Sequence, residues 1–303
     1  MTFPIQALSY DPASLKGLSE KLITSHHQNN YAGAVKRLNA IRAEMINCDF
    51  KSMPGYALNG IKREELIAIN SLLLHELYFA SLGGDGILPP PIELALTSSF
   101  GSAGRWHDEF TAMGRALGGG SGWVILNYLP HNGTLINQYA SDHTQCVAGA
   151  VPILALDMYE HAYHIDFGAN AAAYIDSFMA NIKWSAVAAR FAHAVHSASD
   201  GLNAQPDALK QAIVLDVRRA GVYEKAIEAI PDAQWRNPAT ISKWINELPR
   251  DRDIVVYCVF GHEVSRGCAV RLRSHGLNAR FLEGGIEAWQ TAGHPLVAKE
   301  PTP

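Results

Sequence analysis

Asp157 and His161 stand four residues apart in the run Leu156-Asp157-Met158-Tyr159-Glu160-His161-Ala162-Tyr163. If that run is helical, the carboxylate and the imidazole share one face. An oxygen donor beside a nitrogen donor suits a borderline transition metal. The same spacing is common between solvated neighbours, so further donors must come from elsewhere in the chain. Two more histidines, His26 and His75, lie far upstream on segments that also read as helices.

The elements that must position these side chains follow from composition and periodicity. The chain has 303 residues, 48% hydrophobic and 18% charged, the profile of ordinary globular material at a length that suggests two domains. A net charge of -4 with both signs dispersed gives no sign of a nucleic-acid or membrane-surface binder. Met1-Thr2-Phe3-Pro4 does not open a signal peptide, and no apolar run is long enough to span a bilayer, so a cytoplasmic location is expected. Cys48, Cys146, Cys258 and Cys268 show no paired short spacing, which fits reduced thiols better than a disulfide framework or a thiolate zinc site.

Apolar residues recur at helical intervals over Leu15–Arg42 and Lys62–Leu82, separated by the turn-prone Ser52-Met53-Pro54-Gly55. This pair forms a helical hairpin over residues 1–85. Helices are expected near Pro91–Ser99 and Trp106–Leu117. A strand over Trp123–Tyr128, a turn at Pro130-His131-Asn132-Gly133 and a returning strand over Thr134–Tyr139 follow, then a third strand over Val151–Leu156. Two helices should run on to about His196. Residues 198–207 lack apolar periodicity and read as a linker. Beyond them, strands at Ile213–Asp216, Ile254–Tyr257 and Ala279–Leu282 alternate with helical stretches such as Arg266–His275, the pattern of a small α/β domain with a mainly parallel sheet.

The first part of the chain, over 1–197 (hairpin 1–85, α/β part 90–197), resembles the iron/manganese superoxide dismutase family. The resemblance is carried by Ser25-His26-His27, Leu74-His75-Glu76-Leu77-Tyr78-Phe79, Gly120-Ser121-Gly122-Trp123 and Asp157–Tyr163, and by the tail Asn181–Phe191. It implies an α+β fold, a helical hairpin plus helices with a three-stranded antiparallel sheet. It also implies His26, His75, Asp157 and His161 as ligands of one iron or manganese ion per subunit. Three neutral imidazoles and one carboxylate would leave a divalent ion formally at +1, with a fifth position open to a small anion. Superoxide is the implied substrate. His143 falls where family members place a Gln or His that hydrogen-bonds solvent at the site, and a His there leans toward iron. Glu160, with Tyr163 in the same motif, is implied at a homodimer interface, the carboxylate orienting the neighbouring subunit's ligand histidine.

Some positions depart from the family pattern. A His four residues and a Tyr eight residues after the first ligand are usual; here they are Asn30 and Ala34, and Tyr31 stands as the candidate gate. Leu74 replaces an Asn, and Phe79 and Tyr159 replace tryptophans. The competing reading is a metal-binding protein whose outer residues have drifted, with little dismutase activity.

Cys258 ends the apolar strand Val255-Val256-Tyr257 and precedes a helix, a setting that favours a thiolate, although buried structural cysteines also end strands. Leu215-Asp216-Val217-Arg218 and Leu282-Glu283-Gly284-Gly285-Ile286-Glu287-Ala288-Trp289 resemble the marks of a rhodanese domain, placed at 208–303. That resemblance implies that Cys258 accepts sulfur as a persulfide from an unidentified donor and passes it to an unidentified acceptor. The backbone amides of the loop Val259, Phe260, Gly261, His262, Glu263, Val264 and Ser265 would stabilise the anion. The alternative for this domain is a partner-docking module. Phosphatase chemistry is not expected, because Val264 stands where a phosphate-gripping Arg would be needed. Cys268 is expected to pack.

Overall fold

The computed structural model describes residues 2–299. By internal contacts the chain sorts into two compact units. One gathers the residues up to Ile87 with His107–Asn127 and Asn137–Val187; the other gathers Leu88–Trp106, Tyr128–Ile136 and everything from Ala188 onward.

In the first unit Ser19 opens helix α1 (Glu20–Ser25), its hydroxyl accepting the Leu22 N–H while Glu20 complements the helix dipole. The chain then widens into a π-helical turn, His26–Tyr31, before α2 (Ala32–Ile46) resumes ordinary winding. The continuous helix expected over Leu15–Arg42 is thus interrupted at both its start and its middle. Pro54 caps α3 (Gly55–Ala80), so Gly55 begins a helix rather than ending a turn. Leu22, Ile23, Val35, Leu38 and Leu72 are fully or almost fully buried, the apolar payload that sets this hairpin's faces.

Helices α4 (Pro90–Phe100) and α5 (Ala103–Leu117) lead to a three-stranded antiparallel sheet of β1 (Trp123–Leu129), β2 (Thr134–Ala140) and β3 (Val151–Asp157), in the order β2-β1-β3. Central β1 is buried at six successive residues, as a strand covered on both faces must be. The turn between β1 and β2 is the expected one, with Gly133 N–H donating to the Leu129 carbonyl at 2.8 Å. After β3 come a 3₁₀ turn (Glu160–Ala162) and helices α6 (His164–Phe167), α7 (Ala171–Ala180) and α8 (Trp184–Ala198).

The α/β part that follows holds β4 (Asn203–Ala204), β5 (Ile213–Asp216), α9 (Ala220–Lys225), β6 (Glu228–Ala229), β7 (Gln234–Trp235) and α10 (Ile241–Trp244). It continues with β8 (Ile254–Tyr257), α11 (Glu263–Ser274), β9 (Ala279–Leu282), α12 (Gly285–Thr291) and β10 (Val297–Ala298). Five strands make a parallel sheet in the order β4-β9-β8-β5-β7, and β10 pairs with β6 separately and antiparallel. Leu215, Ile254, Val256 and Phe281 on one face and Val214, Val255 and Tyr257 on the other build two apolar layers.

The stretch 198–207 is structured: Ser199 is fully buried, Asn203–Ala204 forms β4, and Phe281 and Glu283 donate to the carbonyls of Leu202 and Ala204. Among the described residues, no helix is long and apolar enough to cross a membrane.

Candidate functional site

His26, His75, Asp157 and His161 come together, each offering a ligand atom, with all four atoms within 4.8 Å of one another. The elements that bring them are different from one another. His26 begins the π turn, His75 sits on the inner face of α3, and Asp157 is the last residue of β3. His161 lies in the 3₁₀ turn after it. The helical face expected for Asp157 and His161 is therefore corrected. The backbone leaves a strand, passes an extended Tyr159 and tightens into one turn, and this bend rather than helical periodicity apposes the pair.

Asp157 Oδ2 is the focus. It lies 3.1 Å from His26 Nε2, 3.3 Å from His161 Nε2 and 3.5 Å from His75 Nε2. The other oxygen, Oδ1, accepts the Tyr159 N–H at 2.9 Å, and the Asp157 carbonyl accepts the Tyr174 hydroxyl at 2.8 Å. His75 Nδ1–H donates to the Ser71 carbonyl at 2.6 Å, which fixes the tautomer and leaves Nε2 as a lone-pair donor. That Nε2 is buried without a hydrogen-bond partner among the described residues. A buried, unsatisfied imidazole nitrogen aimed at a carboxylate and two more imidazoles fits a metal ion.

Charge states agree with that fit. Burial pulls His26 below the ordinary imidazole range, and burial with the charge of His26 pulls His75 down to about 3. Burial works to raise the Asp157 carboxyl, but His161 and then His26 outweigh it and hold it below the usual carboxylate range. Neutral imidazoles around an ionised carboxylate are the forms that bind a metal.

Aromatic rings enclose the cluster. Trp123 meets His75 edge-on at 5.2 Å, and Phe79 and Tyr78 lie 4.9 and 5.1 Å from His26. His143, from the β2–β3 loop, exchanges a hydrogen bond with the Tyr159 hydroxyl through Nδ1 at 3.0 Å and stacks on that ring. Its Nε2 is buried and has no hydrogen-bond partner among the described residues, and burial lowers its basicity. Tyr31 is buried, its ring 6.4 Å from His75; its hydroxyl donates to Glu76 and accepts from the Gln6 N–H. Asn30 and Ala34 lie on the same helical run. Glu160 is exposed, whereas Tyr163 is buried and stacked on Tyr174.

Ser71, Tyr78, Glu76 and Tyr174 were not expected from the sequence. A signal existed for two of them: Ser71 and Tyr78 are four before and three after His75, on its face of α3.

The second constellation surrounds Cys258, at the carboxyl end of central β8 and just before the N-terminus of α11, where parallel α/β sheets offer their crevices. The thiol is buried, 3.2 Å from the Ser265 hydroxyl. Loop carbonyls are held from two sides. Ile286 and Glu287 N–H donate to Cys258 and Val259, and Arg266 Nε donates to Gly261 at 2.9 Å. Gly261 has φ 68°, and a Cβ there would approach Gly284 N to 2.7 Å. Phe260 and His262 are exposed, Val259, Glu263 and Val264 half-buried. Asp216 and Arg218 form a buried bidentate pair, and the Tyr257 hydroxyl donates to the same carboxylate. Cys268 packs in the core, and burial pushes its thiol up to about 12.

Comparison with known proteins bears on both parts. Residues 90–190 match iron/manganese superoxide dismutases, C-terminal domain, and residues 197–292 match the rhodanese-like domain. A superoxide dismutase [Fe] of Cupriavidus metallidurans is 59% identical over 195 residues, covering 64% of this chain and 99% of that protein. A superoxide dismutase [Fe] of Aquifex pyrophilus is 30% identical over 192 residues, covering 61% and 89%. A superoxide dismutase [Mn] 1 of Halobacterium salinarum is 30% identical over 200 residues, covering 63% and 96%. The chain belongs to the iron/manganese superoxide dismutase family and carries a rhodanese-like domain behind it.

Proposed function

We propose that this protein disproportionates superoxide to oxygen and hydrogen peroxide at one iron or manganese ion per subunit, held by His26, His75, Asp157 and His161. The observation that carries the reading is the convergence of these donors on Asp157 Oδ2, with His75 Nε2 otherwise unsatisfied. The 59% identical relative bearing the name superoxide dismutase [Fe] supports iron over manganese. The ion, when bound, would supply one-electron redox chemistry. The protein's own groups do the rest. The Ser71 carbonyl, accepting from His75 Nδ1–H, and the Tyr159 N–H, donating to Asp157, orient those two side chains, and the surrounding rings exclude bulk water. His143, anchored by Tyr159, offers Nε2 as a hydrogen-bond partner for solvent and substrate at the site. Tyr31 shields the cluster from the side of Glu76 and Gln6.

In the same proposal the dismutase-like domain spans 1–197 and the rhodanese-like domain follows it, with Asn203–Ala204 of the stretch 198–207 serving as its first strand. Glu160 and Tyr163 belong to a homodimer interface, and the protein acts in the cytoplasm. Cys258 takes up sulfane sulfur as a persulfide, with Ser265 and the 259–265 backbone facing the added sulfur.

The deciding experiment is superoxide decay with protein reconstituted separately with iron and with manganese. Acceleration that tracks bound metal is expected; none with either metal would leave the family's fold serving as a metal-binding module only. A Cys258→Ser variant should lose cyanide-releasable sulfur and keep its metal. Loss of metal on that substitution would contradict separate sites.

A further inference from the structure

We infer that Arg271 is a positioning residue for the Cys258 loop, acting along α11 from a socket formed by α4 and the β1–β2 turn. The inference rests on Cys258 being the sulfur-carrying thiol. Every residue it uses lies in the second compact unit.

On α11 a stripe of Val264, Gly267, Cys268 and Arg271, at helical spacings of three, four and seven, lines a small cavity that it shares with α4 as a seam. On α4 the cavity, of about 50 Å³, is lined by Pro91, Leu94, Ala95 and Ser98 at the same spacings, and Pro238 and Ile241 help to close it. At one end of this seam Arg271 reaches across. Its Nη1 donates to both the hydroxyl and the carbonyl of Ser98, the latter at 3.3 Å. Ser98 lies in the last turn of α4, where carbonyls lack intrahelical partners and a cation is favoured. The Arg271 stem crosses Gly133, which has φ 71°; a Cβ there would come within 2.9 Å of Arg271 Cγ and 3.2 Å of Val270 Cγ1. Leu135 N–H donates to Ser99 at 3.0 Å and ties the β1–β2 hairpin to the same end of α4.

A helix transmits such an anchor as a rod. Ser265, six residues and about 9 Å up the axis from Arg271, is the residue whose hydroxyl meets Cys258 Sγ at 3.2 Å. Arg266 on the same helix holds the loop by the Gly261 carbonyl. Loss of the Arg271 anchor lets α11 shift along its seam, and the groups around the thiol shift with it. The stretch matching superoxide dismutases would thereby set the reactivity of a cysteine in the rhodanese-like stretch.

The test follows the rate of Cys258 alkylation by iodoacetamide against pH, in a Cys48→Ser, Cys146→Ser background. Arg271→Ala and the wedge Gly133→Val should both change the rate by more than about threefold and move the pH midpoint of the profile. Arg271→Lys should fall between them and the parent, since a single ammonium cannot make both Ser98 contacts. Bound metal should stay unchanged. Should Arg271→Ala fail to fold, Ser98→Ala, which removes one contact and little volume, takes its place. Profiles that overlay the parent within about twofold in folded variants would overturn the inference, even if the variants melt earlier. Sulfur loading of the parent is measured alongside. Its absence would defeat the persulfide reading while the alkylation profiles still decide the role of Arg271.

Discussion

At the residue scale one carboxylate organises the candidate metal cluster. Asp157 accepts a backbone N–H on one oxygen and presents the other to three imidazoles, so its replacement removes both a ligand and the charge that the cluster shares. Asp157→Ala is expected to weaken metal binding by more than about 100-fold, beyond what loss of a supporting partner costs; metal analysis after dialysis reads it. The sign of the pH dependence follows from the buried histidines. His75 titrates at about 3 in the fold, and the unfolded chain restores a value of about 6.5. Between these values the unfolded state binds more protons, so the stability present above about 6.5 is lost as the pH falls through that window. Asp157 acts in the same direction at lower pH, because its folded carboxyl is depressed below the usual range. The melting temperature of metal-free protein should therefore drop on acidification from pH 7 to 4.5, and the drop should shrink in His75→Gln. Equal drops in both proteins would remove His75 as the cause. The four clustered residues were legible in the sequence through the motifs that carry the family resemblance, since the Asp157/His161 spacing alone is common among solvated neighbours. Their geometry was not, since a strand end followed by a 3₁₀ turn gives the same i,i+4 spacing as a helix.

At the scale of elements, the π turn His26–Tyr31 matters most. Hydrophobic periodicity averages over a dozen residues and cannot register one widened turn or a break at Gly17, which has φ 74°. The turn rotates the residues after His26 relative to an ordinary helix and seats Tyr31 against Glu76 and the N-terminal segment. Tyr31→Phe should cost about 1–2 kcal/mol through two lost hydrogen bonds, with metal retained, as measured by urea unfolding. The Cys258 loop makes a second case. Gly261→Ala combines a left-handed backbone with a collision against Gly284 and the Leu282 carbonyl. A penalty above about 1 kcal/mol is expected, with slower sulfur uptake by Cys258 in the proposed reaction. Unimpaired uptake would mean that the loop adapts without cost to the thiol. The strands and helices of this part were readable from the alternation of short apolar runs with turn residues. The one-turn start of α11 at Glu263 rather than Arg266 was not, because Glu263, Val264 and Ser265 read equally well as loop.

At the scale of the molecule, the two parts depend on different devices. The first adds to its apolar core a cluster of buried polar donors that a metal would satisfy; the second adds to its apolar layers the buried Asp216–Arg218 ion pair. Arg218→Ala leaves Asp216 charged and buried, with Tyr257 as its remaining side-chain partner, and should destabilise the second unit by about 3–5 kcal/mol. Calorimetry of metal-loaded protein checks this, and loss of metal in the variant would count against separate devices. The division into a dismutase-like and a rhodanese-like part was legible from motifs alone. The grouping of residues 88–106 and 128–136 with the second unit was not, since it depends on helix–helix packing that no local pattern records.

Asn203–Ala204 is one edge strand of the parallel sheet, and the carbonyls of Leu202 and Ala204 accept from Phe281 and Glu283. A fragment beginning at residue 208 would strip that strand and bare the backbone amides of β9, an invitation to edge-to-edge association. Scissors placed before Ser199 would spare it, so a rhodanese-like fragment keeps a complete sheet only if it carries with it the piece of chain that reads as a linker.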